Sequence, residues 1–145
     1  MRTVTRILLF IFVVAQVNVQ ANPSKKNKPA GIQFVEGSWA KILEQAKKEK
    51  KVIFFDAYAS WCGPCKMMQK NVFTQTNVAT FFNANFINVK KDMEIGEGPA
   101  LANKYPLEAY PTLFFIDSNG KVIRQVIGYQ TPEQLLALGK IVANK

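Results

Sequence analysis

Val52-Ile53-Phe54-Phe55-Asp56-Ala57-Tyr58-Ala59-Ser60-Trp61-Cys62-Gly63-Pro64-Cys65-Lys66 runs from an unbroken β-branched and aromatic stretch into two cysteines three positions apart. Val52 to Phe55 shows no polar alternation, the mark of a strand buried on both faces. Lys66 to Val72 reads as helix, so the cysteine pair stands at a strand-to-helix junction. Such a strand delivers Cys62 to the surface, and the helix that follows points its unpaired N–H groups at the sulfur. The positive helix end favours thiolate, the nucleophilic form. Cys65 lies one turn inside, placed to attack a mixed disulfide on Cys62. The expected roles are therefore Cys62 as nucleophile and Cys65 as resolving thiol. Pro64 suits the first helical turn, and Gly63 leaves the approach to Cys62 open. Two blander readings compete. A disulfide closing so short a loop removes little unfolded-state entropy. Half a zinc site would need further ligands, and the chain has two cysteines and no histidine.

Asp56 ends the buried run, where a charge is costly. It is either a carboxylate of raised pKa that takes the proton from Cys65 as it attacks, or a strand-end residue bonded to a neighbouring turn. Lys90, at the end of the next apolar strand, is a candidate partner for it. Trp61 borders the nucleophile as a substrate-facing ring or a packed one. Tyr110-Pro111-Thr112 opens another strand, where proline is tolerated at the start or on an edge.

Working outward, Ile32 to Val35 is expected to form a short edge strand. Ser38 then caps a helix carrying Trp39, Ile42, Leu43 and Ala46 at helical spacing. Lys47, Lys48, Lys50 and Lys51 close that helix, where cations suit the dipole. Downstream, Asn77 is expected to cap a helix bearing Val78, Phe81 and Phe82, followed by a strand at Phe86 to Val89. A helical turn at Pro99 to Tyr105 leads to the strand Thr112 to Ile116, the turn Asp117-Ser118-Asn119-Gly120 and the returning strand Lys121 to Ile127. Thr131 caps a last helix, with Pro132 at its first position and Leu135, Leu136, Leu138, Ile141 and Val142 on its apolar face. Alternation followed by an antiparallel pair implies an α/β fold, one mixed sheet with helices on both faces.

The 145 residues allow one domain, and 48% apolar against 20% charged residues is the balance of a globular chain. The absence of histidine removes Ser-His-Asp and Cys-His catalysis. Met1 to Ala21 reads as a signal peptide: Arg2 and Arg6, the apolar run Ile7 to Ala15, and Val19-Gln20-Ala21 as cleavage triplet. An uncleaved membrane anchor is the lesser alternative. Residues 22–31, with Lys25, Lys26 and Lys28, look like a flexible leader, and 32–145 the domain. Cleavage would leave 17 basic and 10 acidic residues, a net of +7. No basic stripe is interleaved with aromatics, so nucleic acid is not an expected partner.

Trp61-Cys62-Gly63-Pro64-Cys65-Lys66 resembles the active-site signature of the thioredoxin superfamily. Asp56 falls where that family carries its buried acid, and Tyr110-Pro111-Thr112 resembles its cis-proline loop. Lys121 to Gly128 resembles its last hairpin strand. Within the superfamily, Cys65-Lys66 with Lys70-x-x-Phe73-Thr74, and Phe114-Phe115-Ile116-Asp117 with Gly120, are similar to the exported thioredoxin-like domain of thiol:disulfide interchange proteins. The sequence departs from ordinary thioredoxin at Tyr58, Lys70 and Tyr110, and Gln69 stands where some interchange domains have a second acid. The resemblance implies a thioredoxin fold, proton transfer by Asp56, a cis bond before Pro111, and substrate contact by Trp61, Gly63, Pro64, Tyr110 and Pro111. It implies an exported, periplasmic or extracellular, thiol:disulfide oxidoreductase with no cofactor or metal beyond its own cysteine pair. The expected reaction is reduction of partner-protein disulfides by a monomer, with electrons from a membrane thiol reductase. A disulfide oxidase or isomerase, and a non-catalytic chaperone-like binding module, are the alternatives.

Overall fold

The computed structural model describes residues 30–144. The signal-like segment, most of the leader and the last residue lie outside the described residues.

Helix α1 (Trp39–Glu49) starts where Ser38 Oγ accepts from Lys41 N and stops where Lys50 turns left-handed at φ 53°. Strand β1 (Val52–Tyr58) follows, then α2 (Gly63–Asn71), α3 (Thr76–Asn85), β2 (Phe86–Asp92), α4 (Gly98–Lys104), β3 (Thr112–Ile116), β4 (Val122–Ile127) and α5 (Pro132–Ala143). The sheet order is β2-β1-β3-β4. Strands β1 and β2 are parallel, and β1–β3 and β3–β4 are antiparallel. Strand β1 is thus central, which is why its run carries no exposed position between Ile53 and Ala57.

Successive residues of β1 and β3 point to opposite faces and build two cores. Phe54, Leu113 and Phe115 meet Met68, Phe82 and Leu135 on the side of α2, α3 and α5. Phe55, Phe114 and Ile116 meet Trp39, Ile42, Leu101 and Tyr105 on the side of α1 and α4. This is the mixed sheet covered on both faces that the residue pattern predicts. Helix α5 packs tightly on α3 where Gly139 faces Phe82, since a Cβ there would come within 2.9 Å of the ring.

Four local expectations change. Ile32 to Val35 forms no strand. Its N–H groups go to scattered acceptors: Ile32 to Phe73 O, Gln33 to Asn83 Oδ1 and Val35 to Asn88 O, each at 2.8 Å. Helix α2 begins at Gly63 rather than Lys66, so the cysteine itself is the cap. Helix α3 begins at Thr76, with Gln75 rather than Asn77 at the cap position and no side-chain capping bond. In α5 the buried set is Leu135, Gly139 and Val142, while Ile141 is 49% exposed. The small Gly139 lets that helix approach on a narrower stripe than its five apolar residues imply.

Candidate active site

Strand β1 ends at Tyr58, and a tight turn follows in which Cys62 N donates to Ala59 O at 3.0 Å. Cys62 has extended backbone (φ −70°, ψ 114°) and is the N-cap of α2. Its Sγ accepts from Cys65 N at 3.1 Å, the position a serine or aspartate oxygen takes at an ordinary cap. Cys62 and Cys65 are joined in a disulfide, with Cα atoms 5.3 Å apart. Pro64 stands in the first turn, where its missing N–H leaves no intrahelical bond unmade. A Cβ on Gly63 would meet nothing within 4 Å, so this glycine answers to no packing demand and keeps the flank of Cys62 clear.

Both cysteines are buried, at 3% and 1% exposure. What gives onto them is a groove of about 560 Å³, lined by Trp61 to Pro64 on one side and Leu107 to Tyr110 on the other. The second wall is set by the cis peptide bond Tyr110–Pro111. Gly128, at φ +89°, donates its N–H to Pro111 O at 2.8 Å, and Thr112 Oγ1 donates to Ala109 O at 2.7 Å. Trp61 is 66% exposed and lies edge-on to Tyr110, ring centres 5.7 Å apart. The indole is therefore a surface of the groove, not a core ring. Trp61, Cys62, Gly63, Pro64 and Tyr110 come together at this groove. Pro111 is buried, immediately precedes β3 and is not part of the groove walls.

Asp56 is buried at 1% exposure, and neither carboxylate oxygen has a hydrogen-bond partner among the described residues. The strand-end bonding role weighed for it is absent. Burial pushes its pKa from 3.8 up to about 7, against a smaller lowering by Lys90. Lys90 stands level with Asp56 in the β1–β2 register. It forms no ion pair with Asp56 among the described residues, and its ammonium lies over the Phe34 ring at 5.4 Å.

Two carboxylates that the sequence reading passed over support the loop. Asp92 Oδ2 accepts from Ser60 N and Oδ1 from Glu94 N, both at 3.0 Å. Glu94 Oε2 accepts from Trp61 Nε1 at 2.8 Å. The last residue of β2 and the loop after it thereby hold the turn before Cys62, through its main chain and through the Trp61 side chain. Gly98 makes their tight return possible: a Cβ there would fall 2.1 Å from Asp92 O. An acid closing the basic run Lys90-Lys91 was the one signal of this in the sequence. Tyr110 feels the same charges: burial, then Glu94 and Asp92, raise its phenol pKa.

A solvent-facing groove over a capped Cys-x-x-Cys disulfide, with a buried unpaired carboxylate on the strand before it, defines a thiol–disulfide oxidoreductase. Residues 39–143 match the thioredoxin-like domain family, and the chain belongs to that family. It is 46% identical to a candidate disulphide-isomerase from Bacteroides thetaiotaomicron of known solution structure. That match covers 77% of this chain and 94% of that one, with a TM-score of 0.67. It is 31% identical over 126 residues to chloroplastic thioredoxin Y of Oryza sativa, covering 87% of this chain and 71% of that protein. It is 30% identical over 113 residues to the thiol-disulfide oxidoreductase ResA of Bacillus anthracis, covering 66% and 65%.

Proposed function

We propose that this protein is an exported dithiol reductant of partner-protein disulfides, with residues 1–21 as its signal peptide, 22–31 as a leader and 32–145 as the working domain. In the reduced chain the Cys62 thiolate attacks a partner disulfide, forming a mixed disulfide and expelling one partner thiolate. Cys65 then yields its proton to the Asp56 carboxylate and attacks Cys62 Sγ. The second partner thiolate leaves, two electrons have passed to the partner, and the Cys62–Cys65 disulfide remains. Lys90 tempers the pKa of Asp56 from the neighbouring strand. A membrane thiol reductase would return the electrons by the reverse exchange. Trp61, Gly63, Pro64, Tyr110 and Pro111 bound the partner segment. No helix among the described residues is long and apolar enough to cross a membrane.

The observation that carries the chemistry is the capped disulfide at the floor of the groove, where Cys65 N–H already points at Cys62 Sγ. The direction draws on the Gly63-Pro64 pair, which resembles the reducing branch of the superfamily. A second reading, disulfide isomerase, draws on the description of the 46% identical relative. Equilibrating the mature chain in thiol buffers separates the two. A potential near thioredoxin's, about −270 mV, supports a reductant, whereas one near about −120 mV makes the protein a disulfide donor or shuffler. A Cys62→Ala variant that still reduces disulfides at the parent rate overturns the chemistry itself.

A further inference from the structure

The groove over the disulfide carries charge of the wrong sign for this chain. The protein has 19 basic and 10 acidic residues. Yet the two walls, Trp61 to Pro64 and Leu107 to Tyr110, hold a single charged side chain, Glu108. No lysine or arginine lines it. Lys66, adjacent to Cys65 in sequence, is exposed but is not part of the wall. The other carboxylate near the groove, Glu94, has Oε2 engaged by the Trp61 indole. Glu108 itself is exposed and makes no hydrogen bond or ion pair among the described residues. It stands on the wall facing Cys62, between the half-buried Leu107 and the exposed Ala109. A free carboxylate in an otherwise uncharged groove acts on whatever segment lies there.

We propose that Glu108 is a specificity-determining residue that favours disulfides flanked by a lysine or arginine beside the cysteine meeting Cys62. This inference rests on the dithiol reading above and deepens it by naming a substrate class. It also runs against the net charge of +7 of the chain without residues 1–21, which on its own would favour acidic partners. The sign of the preference therefore separates a local effect of Glu108 from a global one.

The test uses three disulfide-linked peptides that differ only in one residue beside the cysteine: lysine, glutamine or glutamate. The mature chain is reduced, freed of reductant and mixed with each peptide, and a single turnover is followed by alkylation and mass spectrometry. Each rate is divided by that peptide's rate with dithiothreitol, which removes the intrinsic effect of the flanking charge on the disulfide. The expected lysine-to-glutamate ratio is about fivefold at low ionic strength, the scale of one exposed charge contact, and it shrinks in molar salt. Glu108→Gln abolishes the preference for lysine, and Glu108→Lys reverses it. Circular dichroism melting, expected to match the parent for both variants, shows that they are folded. A parent ratio near one, a ratio favouring glutamate, or a lysine preference that survives in Glu108→Gln overturns the assignment and leaves the dithiol chemistry standing. If the parent turns over none of the three peptides, the dithiol reading falls and this inference with it.

Discussion

Asp56→Asn replaces a buried carboxylate with a neutral side chain of nearly the same shape, and its effect on stability must depend on pH. In the folded protein the acid has its pKa raised from 3.8 to about 7 by burial, with neither oxygen bonded. At about 1.4 kcal/mol per pH unit, keeping it ionised inside the protein costs about 4 kcal/mol. Between these two pKa values the native state holds a proton that the unfolded chain has already released. Stability from this group is therefore full below about pH 4, falls as pH rises, and reaches its minimum above about pH 7. About 3 kcal/mol of the loss develops between pH 5 and pH 8. Guanidinium unfolding of the oxidised protein, followed by circular dichroism at those two pH values, should show Asp56→Asn gaining on the parent by that amount at the higher pH. A difference between variant and parent that stays constant from pH 5 to pH 8 refutes the buried, unpaired carboxylate. The same substitution should slow resolution of the mixed disulfide, so the more stable protein is the poorer enzyme.

Cys65→Ala, which keeps the proposed nucleophile Cys62 and removes the proposed resolving thiol, should accumulate mixed disulfides with partners. Affinity capture followed by non-reducing electrophoresis would detect them, and a Cys65→Ala protein that never cross-links contradicts the assigned order of attack. Glu94→Ala frees the Trp61 indole from its 2.8 Å bond. Acrylamide quenching of Trp61 should rise and the peptide rate should fall by roughly threefold, the scale of one exposed charge-assisted bond. Gly98→Ala drives a Cβ to 2.1 Å from Asp92 O. It should destabilise by about 3 kcal/mol or more in chemical unfolding, since main chain cannot swing aside as a side-chain tip can.

What could be read from the sequence was what nearest neighbours decide. The turn from Asp117 to Gly120 needs only its own residues: Asp117 Oδ1 accepts from Asn119 N at 2.8 Å and Lys121 N at 2.9 Å, and Gly120 takes φ +85°. The cap of α5 is equally local, with Thr131 and Gln134 exchanging side-chain-to-backbone bonds. The cysteine pair announced itself because a strand-to-helix junction, a Cys-x-x-Cys spacing and a proline coincide within four residues. Ile32 to Val35 failed because an edge strand needs a continuous partner. This segment has Phe73, Asn83 and Asn88 instead, which lie on three different elements and connections and include a side-chain acceptor. Asp92, Glu94 and Glu108 were passed over because a carboxylate at a strand end or on a loop looks, in sequence, like any other solvated charge. Its meaning depends on which turn or ring folds up against it, about 30 residues away in the first two cases. The burial of Asp56 was legible from its strand, but not that it goes without a hydrogen-bond partner among the described residues. That depends on where Lys90 directs its ammonium, and Phe34 takes it.

The backbone tie between Ile32 N and Phe73 O fixes where the chain comes into the domain. Phe73 lies just past the last residue of α2, and Cys62 caps the opposite end of that helix. Nine helical residues, about 14 Å at 1.5 Å each, separate the two ends. The molecule therefore has a rear and a front along a single helix axis. A load attached ahead of Ile32, whether a bead, a surface or a fused domain, pulls on the rear and leaves the groove facing outward. Immobilisation through the N-terminal arm is accordingly the orientation in which captured partners meet the fewest obstacles.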